Sequence, residues 1–313
     1  MGSASAYRYC QENAAQTGVG ITFQKGSYTA MFNTPDELPV KNETANRPHV
    51  QVGYCAAISE IASAKAAGFD YVEIRAAEVA ALPDASYEQL VERLNQFGIV
   101  APAANTFIPR DLKVTGPLVD EAQQMTYVRR AFDRASRLGV RIIVFGSGGA
   151  RQVPNSFSKE MAFQQLVSFC RRIAPEAEAR GITVVIEPLR KQECNIINTA
   201  REGLELVRDV SHPNVQLLVD FYHMAAENED PRIICDGREH IRHLHIANPV
   251  GRGFPLSWEE YDYASFFENL RWIGYAARIS VEARASDFEQ EAPRSIALLR
   301  RAFVSSASGS LKV

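Results

Sequence analysis

The sequence predicts an α/β protein: a single (β/α)8 TIM barrel over residues 49–313, preceded by an N-terminal extension at 1–48. Three observations carry this prediction. A phrase recurs along the chain, in which a helical stretch ends at a glycine and a short apolar run follows within a few residues. The apolar runs are near-continuous rather than alternating, so both faces of each strand must be covered, as in a parallel sheet. Eight such runs, with helical stretches between them, fill roughly the 250 residues that a closed barrel needs.

The elements follow in order. A first strand fits at 52–54. The helical stretch 58–67 ends at Gly68, and the strand 71–74 follows. Helix 87–96 runs up to Gly98 and strand 99–101. Helix 120–138 runs up to Gly139 and strand 141–145, and helix 159–180 up to Gly181 and strand 183–186. Helix 199–210 precedes strand 215–219, and a weaker helical stretch near 232–235 precedes strand 243–246. Helix 264–271 ends before Gly274 and strand 277–281, and helix 289–303 completes the eighth unit. The glycines belong where they stand because a helix C-cap takes left-handed backbone angles that cost glycine nothing. The alternative, a doubly wound open sheet, lacks a GxGxxG turn after the first strand. Residues 1–48 fall outside the repeat and receive no function. They read as an arm against the barrel or a neighbouring subunit, or as a disordered segment.

Composition narrows the class of partner. Thirty-four basic and 37 acidic residues give a net charge of −3, with 46% hydrophobic and 23% charged residues, ordinary for a globular protein. No run of Lys or Arg suggests a nucleic-acid track or a membrane-surface patch. No apolar run approaches the roughly 20 residues of a membrane helix. The first residues have neither a basic start nor an apolar stretch, so they do not read as a signal peptide. Cys10, Cys55, Cys170, Cys194 and Cys235 are odd in number and lack CxxC spacing. They read as five unpaired thiols in a reducing, cytoplasmic setting.

Barrel active sites lie at the C-terminal ends of the strands. Four late strands end in, or carry, a potential metal ligand: Glu187 in VVIEPL, Asp220 in LLVDFYH, His245 in HLHIAN and Glu282 in ISVEA. Taken singly, a strand-end carboxylate is more often a helix cap or a salt-bridge partner. Taken together, three carboxylates converging on one mouth are costly unless a cation sits among them. The set is hard and oxygen-rich, which favours Mn2+, Mg2+ or Co2+ over a structural zinc. His243 and His245 are expected on opposite faces of their strand, with His245 towards the barrel axis and His243 in a packed structural role. His212 and His240 are expected at the surface.

The segments EPLRKQE, VDFYHM, HLHIANPVGR and SVEA resemble the sugar-phosphate isomerase/epimerase superfamily with xylose-isomerase-like barrels, and within it the ketose 3-epimerases. The resemblance covers roughly residues 50–304. It implies one divalent cation, Mn2+ first, held by Glu187, Asp220, His245 and Glu282, with Glu187 and Glu282 as the acid/base pair. It also implies that Glu193, His223 and Arg252 contact substrate. The implied reaction removes the proton α to a carbonyl on one face and returns it on the other through an enediolate, with the cation as Lewis acid. The implied partner is a small sugar or keto-sugar, bound by a barrel that commonly forms homo-oligomers.

The chain departs from the ketose 3-epimerases at two points. After strand four it reads FGSGGARQVP, and after Glu282 it reads Ala283-Arg284, where aromatic residues are usual. Arg151 and Arg284 are therefore candidates for gripping a substrate carboxylate or phosphate, and Asn105 at the end of strand three is a further substrate candidate. A lyase on the same site, such as an inosose dehydratase or a 3-keto-C-glycoside-cleaving enzyme, is the rival reading. A DNA-repair endonuclease of the endonuclease IV type is disfavoured by the net negative charge and by strands two and three, which end near Glu73 and Asn105 without a histidine. A non-enzymatic binding protein is the remaining alternative.

Overall fold

The computed structural model describes residues 50–304, so the extension at 1–48 lies outside the described residues. Eight strands are present: β1 (Gln51–Cys55), β2 (Tyr71–Arg75), β3 (Val100–Asn105), β4 (Ile142–Phe145), β5 (Thr183–Ile186), β6 (Val215–Asp220), β7 (Ile241–Ile246) and β8 (Arg278–Val281). They pair in parallel in sequence order, and β8 closes on β1 through Gly53↔Ser280, beside Gly53↔Tyr71 on the other flank. Every predicted strand is found, with ends within two residues of the expectation except at β3, which runs four residues beyond the expected 99–101.

The outer ring contains the expected helices: α1 (Ile61–Ala67), α3 (Asp84–Phe97), α4 (Glu121–Arg137), α6 (Lys159–Glu178), α7 (Ala200–Val210), α9 (Ile233–Asp236), α10 (Ala264–Trp272) and α11 (Phe288–Val304). Gly68, Gly98, Gly139, Gly181 and Gly274 all have positive φ, between 59° and 94°, as their place after the helices predicts. Three short helices were not anticipated: α2 (Ala76–Ala81), α5 (Gly148–Arg151) and α8 (Phe221–Ala226). Each follows its strand within three residues, at β2, β4 and β6, and each is too short to show a helical period in sequence.

The main core fills the space between strands and helices, and a small cluster of Tyr71, Ala103, Ile142, Val144, Val185 and Leu218 fills the barrel itself. Gly53 explains how a tyrosine fits there. A Cβ at position 53 would lie 2.2 Å from the Tyr71 ring, so only a residue without one leaves room. Cys55, Cys170 and Cys194 are unpaired, as expected. Cys235 is disulfide-bonded, which corrects the expectation of five free thiols, so cysteine usage no longer argues for a reducing compartment. Among the described residues no helix is long and apolar enough to cross a membrane.

Candidate active site

Parallel pairing brings the C-terminal ends of β5 to β8 to one mouth. Glu187 and Glu282 each stand one residue past their strand, Asp220 is the last residue of β6, and Asp220 is the register partner of His245 on β7. Main-chain bonds fix each position. Glu187 N donates to Phe145 O (3.3 Å), and Glu282 N donates to Ile246 O (3.0 Å). Asp220 caps α8, with Oδ1 accepting from Tyr222 N (2.8 Å), which leaves Oδ2 for the site. The residue just past β4 also has to make way. A Cβ on Gly146 would come within 2.1 Å of Glu187 Oε2.

The structure brings three of the four expected ligands into one cluster, with His223 rather than His245 as its histidine. Glu187, Asp220, Glu282 and His223 each offer an atom within 4.8 Å of the others. His245 Nδ1 lies against the same carboxylates, 2.9 Å from Glu187 Oε1 and 3.7 Å from Glu282 Oε2. Two histidines thus face the carboxylates, and their second nitrogens separate their roles. His223 Nδ1 accepts from Arg190 N (3.2 Å), so the neutral ring carries its proton on Nε2, 3.5 Å from Asp220 Oδ2. His223 is placed to donate. His245 has the reverse pattern: Nε2 faces a carboxylate oxygen of Glu73 at 2.9 Å, and Nδ1 faces the cluster.

Electrostatics follow from this crowding. Burial alone would lower His245, but Glu73 above all, with Cys55 and Glu187 behind it, raises it well above the usual imidazole range. Burial, and then the Glu187 charge, push Glu282 up to about 7. Burial opposes ionisation of Glu187 too, yet His245 holds it below the ordinary carboxylate value. Two buried acids and a partly exposed third, gathered this closely, call for positive charge among them. An all-oxygen trio plus one imidazole nitrogen is a donor set that suits a hard divalent cation.

The remaining candidates fall into three groups. Glu193 and Arg252 are at the mouth: Arg252 Nη1 is 3.2 Å from Glu193 Oε1, and Nη2 is 2.5 Å from Glu282 Oε2. Arg252 also sits 4.7 Å over the Tyr222 ring, with Arg190 4.9 Å from the same ring and bonded to Glu193 Oε1. Asn105 is buried at the end of β3, where its Oδ1 accepts from Thr106 Oγ1 (3.2 Å). The two arginines of the anion hypothesis go elsewhere. Arg284 is exposed, and its backbone N donates to Arg252 O (2.9 Å). Arg151 is 1% exposed and spends its guanidinium on Phe145 O (3.0 Å), Glu187 O (2.7 Å) and Ile197 O (3.4 Å). It anchors the main chain under Glu187 and does not reach into the mouth.

Two expectations about histidine need correction. His243 and His245 do not face opposite sides. Both point into the barrel, because residues two apart on a strand share a face. His212 and His240 are half-buried, not superficial, and stand ahead of β6 and β7 at the far end of the barrel. The residue that sequence reasoning missed is Glu73. It is fully buried in β2 between both histidines. Its one signal is an acidic side chain inside the apolar run Tyr71-Val72-Glu73-Ile74.

Known proteins share this fold. The chain is 28% identical over 231 residues to the L-ribulose 3-epimerase of Methylomonas sp. (strain DH-1), covering 72% of this chain and 78% of that protein. It is 30% identical over 141 residues to the 3-dehydro-D-guloside 4-epimerase of Escherichia coli (strain K12), covering 44% and 53%. The crystal structure of the D-allulose 3-epimerase from Methylomonas sp. superposes with a TM-score of 0.72 at 24% identity, covering 82% of this chain and 98% of that one. The family model of the xylose isomerase-like TIM barrel matches residues 61–302, with both strand-end glutamates, Asp220 and His245 inside the match, and the chain belongs to that family.

Proposed function

We propose that this chain is a divalent-cation-dependent epimerase of ketoses or related keto-sugars, with Glu187 and Glu282 as its acid/base pair. The observation that carries the reading is the approach of these two carboxylates, from β5 and β8, to one nitrogen of His245, with Asp220 and His223 beside them. The names of the relatives support it: each of those described above is an epimerase acting on a ketose or a keto-glycoside.

Glu187, Asp220, His245 through Nδ1 and Glu282 would hold the cation, with Mn2+ the first choice and Mg2+ or Co2+ the alternatives. When bound, the cation supplies Lewis-acid stabilisation of charge developing on a carbonyl oxygen. The side chains do the rest. One glutamate takes the proton from the carbon next to the carbonyl, and the other returns a proton to the opposite face, which inverts that centre. His223 donates Nε2–H to a substrate oxygen. Glu193 and Arg252 bind hydroxyls at the rim.

The test is turnover in deuterated water by the Mn2+-loaded protein with a panel of ketoses, keto-inositols and 3-keto-glycosides. Deuterium at the epimerised carbon with no group released is the expected result. A released water or aglycone would make it a lyase, and no turnover of any member with Mn2+, Mg2+ or Co2+ would end the proposal. Glu187→Gln and Glu282→Gln should each lower kcat by about 10²–10⁴-fold, the usual worth of a positioned acid or base, with circular dichroism unchanged.

A further inference from the structure

We infer that Glu73 is a positioning residue for the cation site: by accepting the Nε2 proton of His245 it fixes the tautomer that leaves Nδ1 bare towards Glu187 and Glu282. The inference rests on the cation reading above and extends it to a residue outside the ligand set.

Glu73 lies in β2, and its carboxylate reaches across the barrel interior to β7 and β8. Oε1 is 2.9 Å from His245 Nε2. Oε2 is 2.7 Å from His243 Nε2 and 2.6 Å from Ser280 Oγ. Ser280 Oγ is in turn 2.8 Å from Tyr71 OH. All of these side chains are fully buried. An ionised carboxylate can only accept, so the chain of donors has one direction. Tyr71 donates to Ser280, Ser280 donates to Glu73, and each histidine gives Glu73 its Nε2–H. Each neutral ring therefore has a bare Nδ1. For His243 that nitrogen has no partner among the described residues, as fits a ring whose single proton is on Nε2. For His245 the Nδ1 side faces the carboxylates, and the Nδ1 proton that Glu187 accepts in this structure is the one a cation would displace. A carboxylate behind a ligating imidazole sets the ring's orientation and raises its basicity, and removing such a partner commonly weakens metal binding 10–100-fold.

Two measurements test this on the whole chain. In the wild-type protein labelled with 15N-histidine and loaded with Mg2+, the nitrogen shifts should show His245 protonated on Nε2 and bare on Nδ1; the opposite tautomer would overturn the inference. In calorimetric titration with Mn2+, Glu73→Gln should bind 10–100-fold more weakly than wild type while the metal-free proteins show matching circular dichroism. Equal affinity would overturn the inference and leave the epimerase reading standing. Wild-type protein that binds no Mn2+ would remove both. If Glu73→Gln does not fold, Ser280→Ala withdraws one donor from Glu73 without touching His245. It should weaken Mn2+ binding several-fold, and unchanged affinity there, together with the wrong tautomer in wild type, would refute the positioning role.

Discussion

Gly146 shows how much of the site depends on a missing side chain. It sits at the end of β4, where a Cβ would come within 2.1 Å of Glu187 Oε2. Gly146→Ala should therefore displace the carboxylate rather than unfold the barrel. Because a 1 Å misplacement of a reacting group costs on the order of 10²-fold, kcat should fall by about that factor, with a melting temperature close to wild type; kinetics beside a thermal melt would check both. The glycine run after strand four was visible in sequence, but its reason was not, since nothing in FGSGG says that a glutamate 41 positions later needs the room. Arg151 teaches the same lesson in reverse. Its place after a strand suggested an anion grip, whereas burial and three carbonyl partners make it a brace. The four proposed ligand positions could be picked out in sequence because each lies at or just past the C-terminal end of an apolar strand, an end that the topology turns to one mouth. Glu73 could not be, because its meaning depends on two histidines 170 and 172 residues away.

At the scale of elements, what sequence periodicity revealed and what it hid divide by length. The long helices have enough residues to show a period, and the strands show themselves as near-continuous apolar runs. The short α2 shows no period, because its stability comes from outside. Arg134, in α4, is buried and donates to Val79 O (2.9 Å), Ala80 O (3.3 Å) and Leu82 O (2.5 Å), three carbonyls at the C-terminal end of α2. Asp84 at the start of α3 pairs with the same guanidinium. Arg134→Met keeps the apolar stem and removes the donors. It should destabilise the protein by roughly 1–3 kcal/mol, the cost of stranding buried acceptors, read as a lower urea midpoint with little change in kcat. Full wild-type stability in that variant would show that α2 holds without its cap.

At the scale of the molecule, the candidate ligands come from β5, β6, β7 and β8, four consecutive staves of one closed barrel. The first four strands support the site from beneath, through Glu73 on β2 and through Phe145, Gly146 and Arg151 at and beyond the end of β4. A bound cation would pin the second half of the barrel and act on the first half only through their contact. Metal removal should therefore lower the melting temperature, as loss of any ligand specific to the folded state does, and should raise amide hydrogen exchange in β5–β8 more than in β1–β4. Uniform loosening around the barrel would argue against a site confined to one half. The rim has a consequence for substrate capture as well. Arg252 and Arg190 lean on Glu193 and Glu282, so the guanidiniums at the entrance are already matched with carboxylates, and the chain as a whole carries a charge of only −3. Such an entrance casts little long-range field. For an uncharged sugar, the substrate class proposed above, such an entrance would leave capture to plain diffusion, at a pace indifferent to the ionic strength of its surroundings.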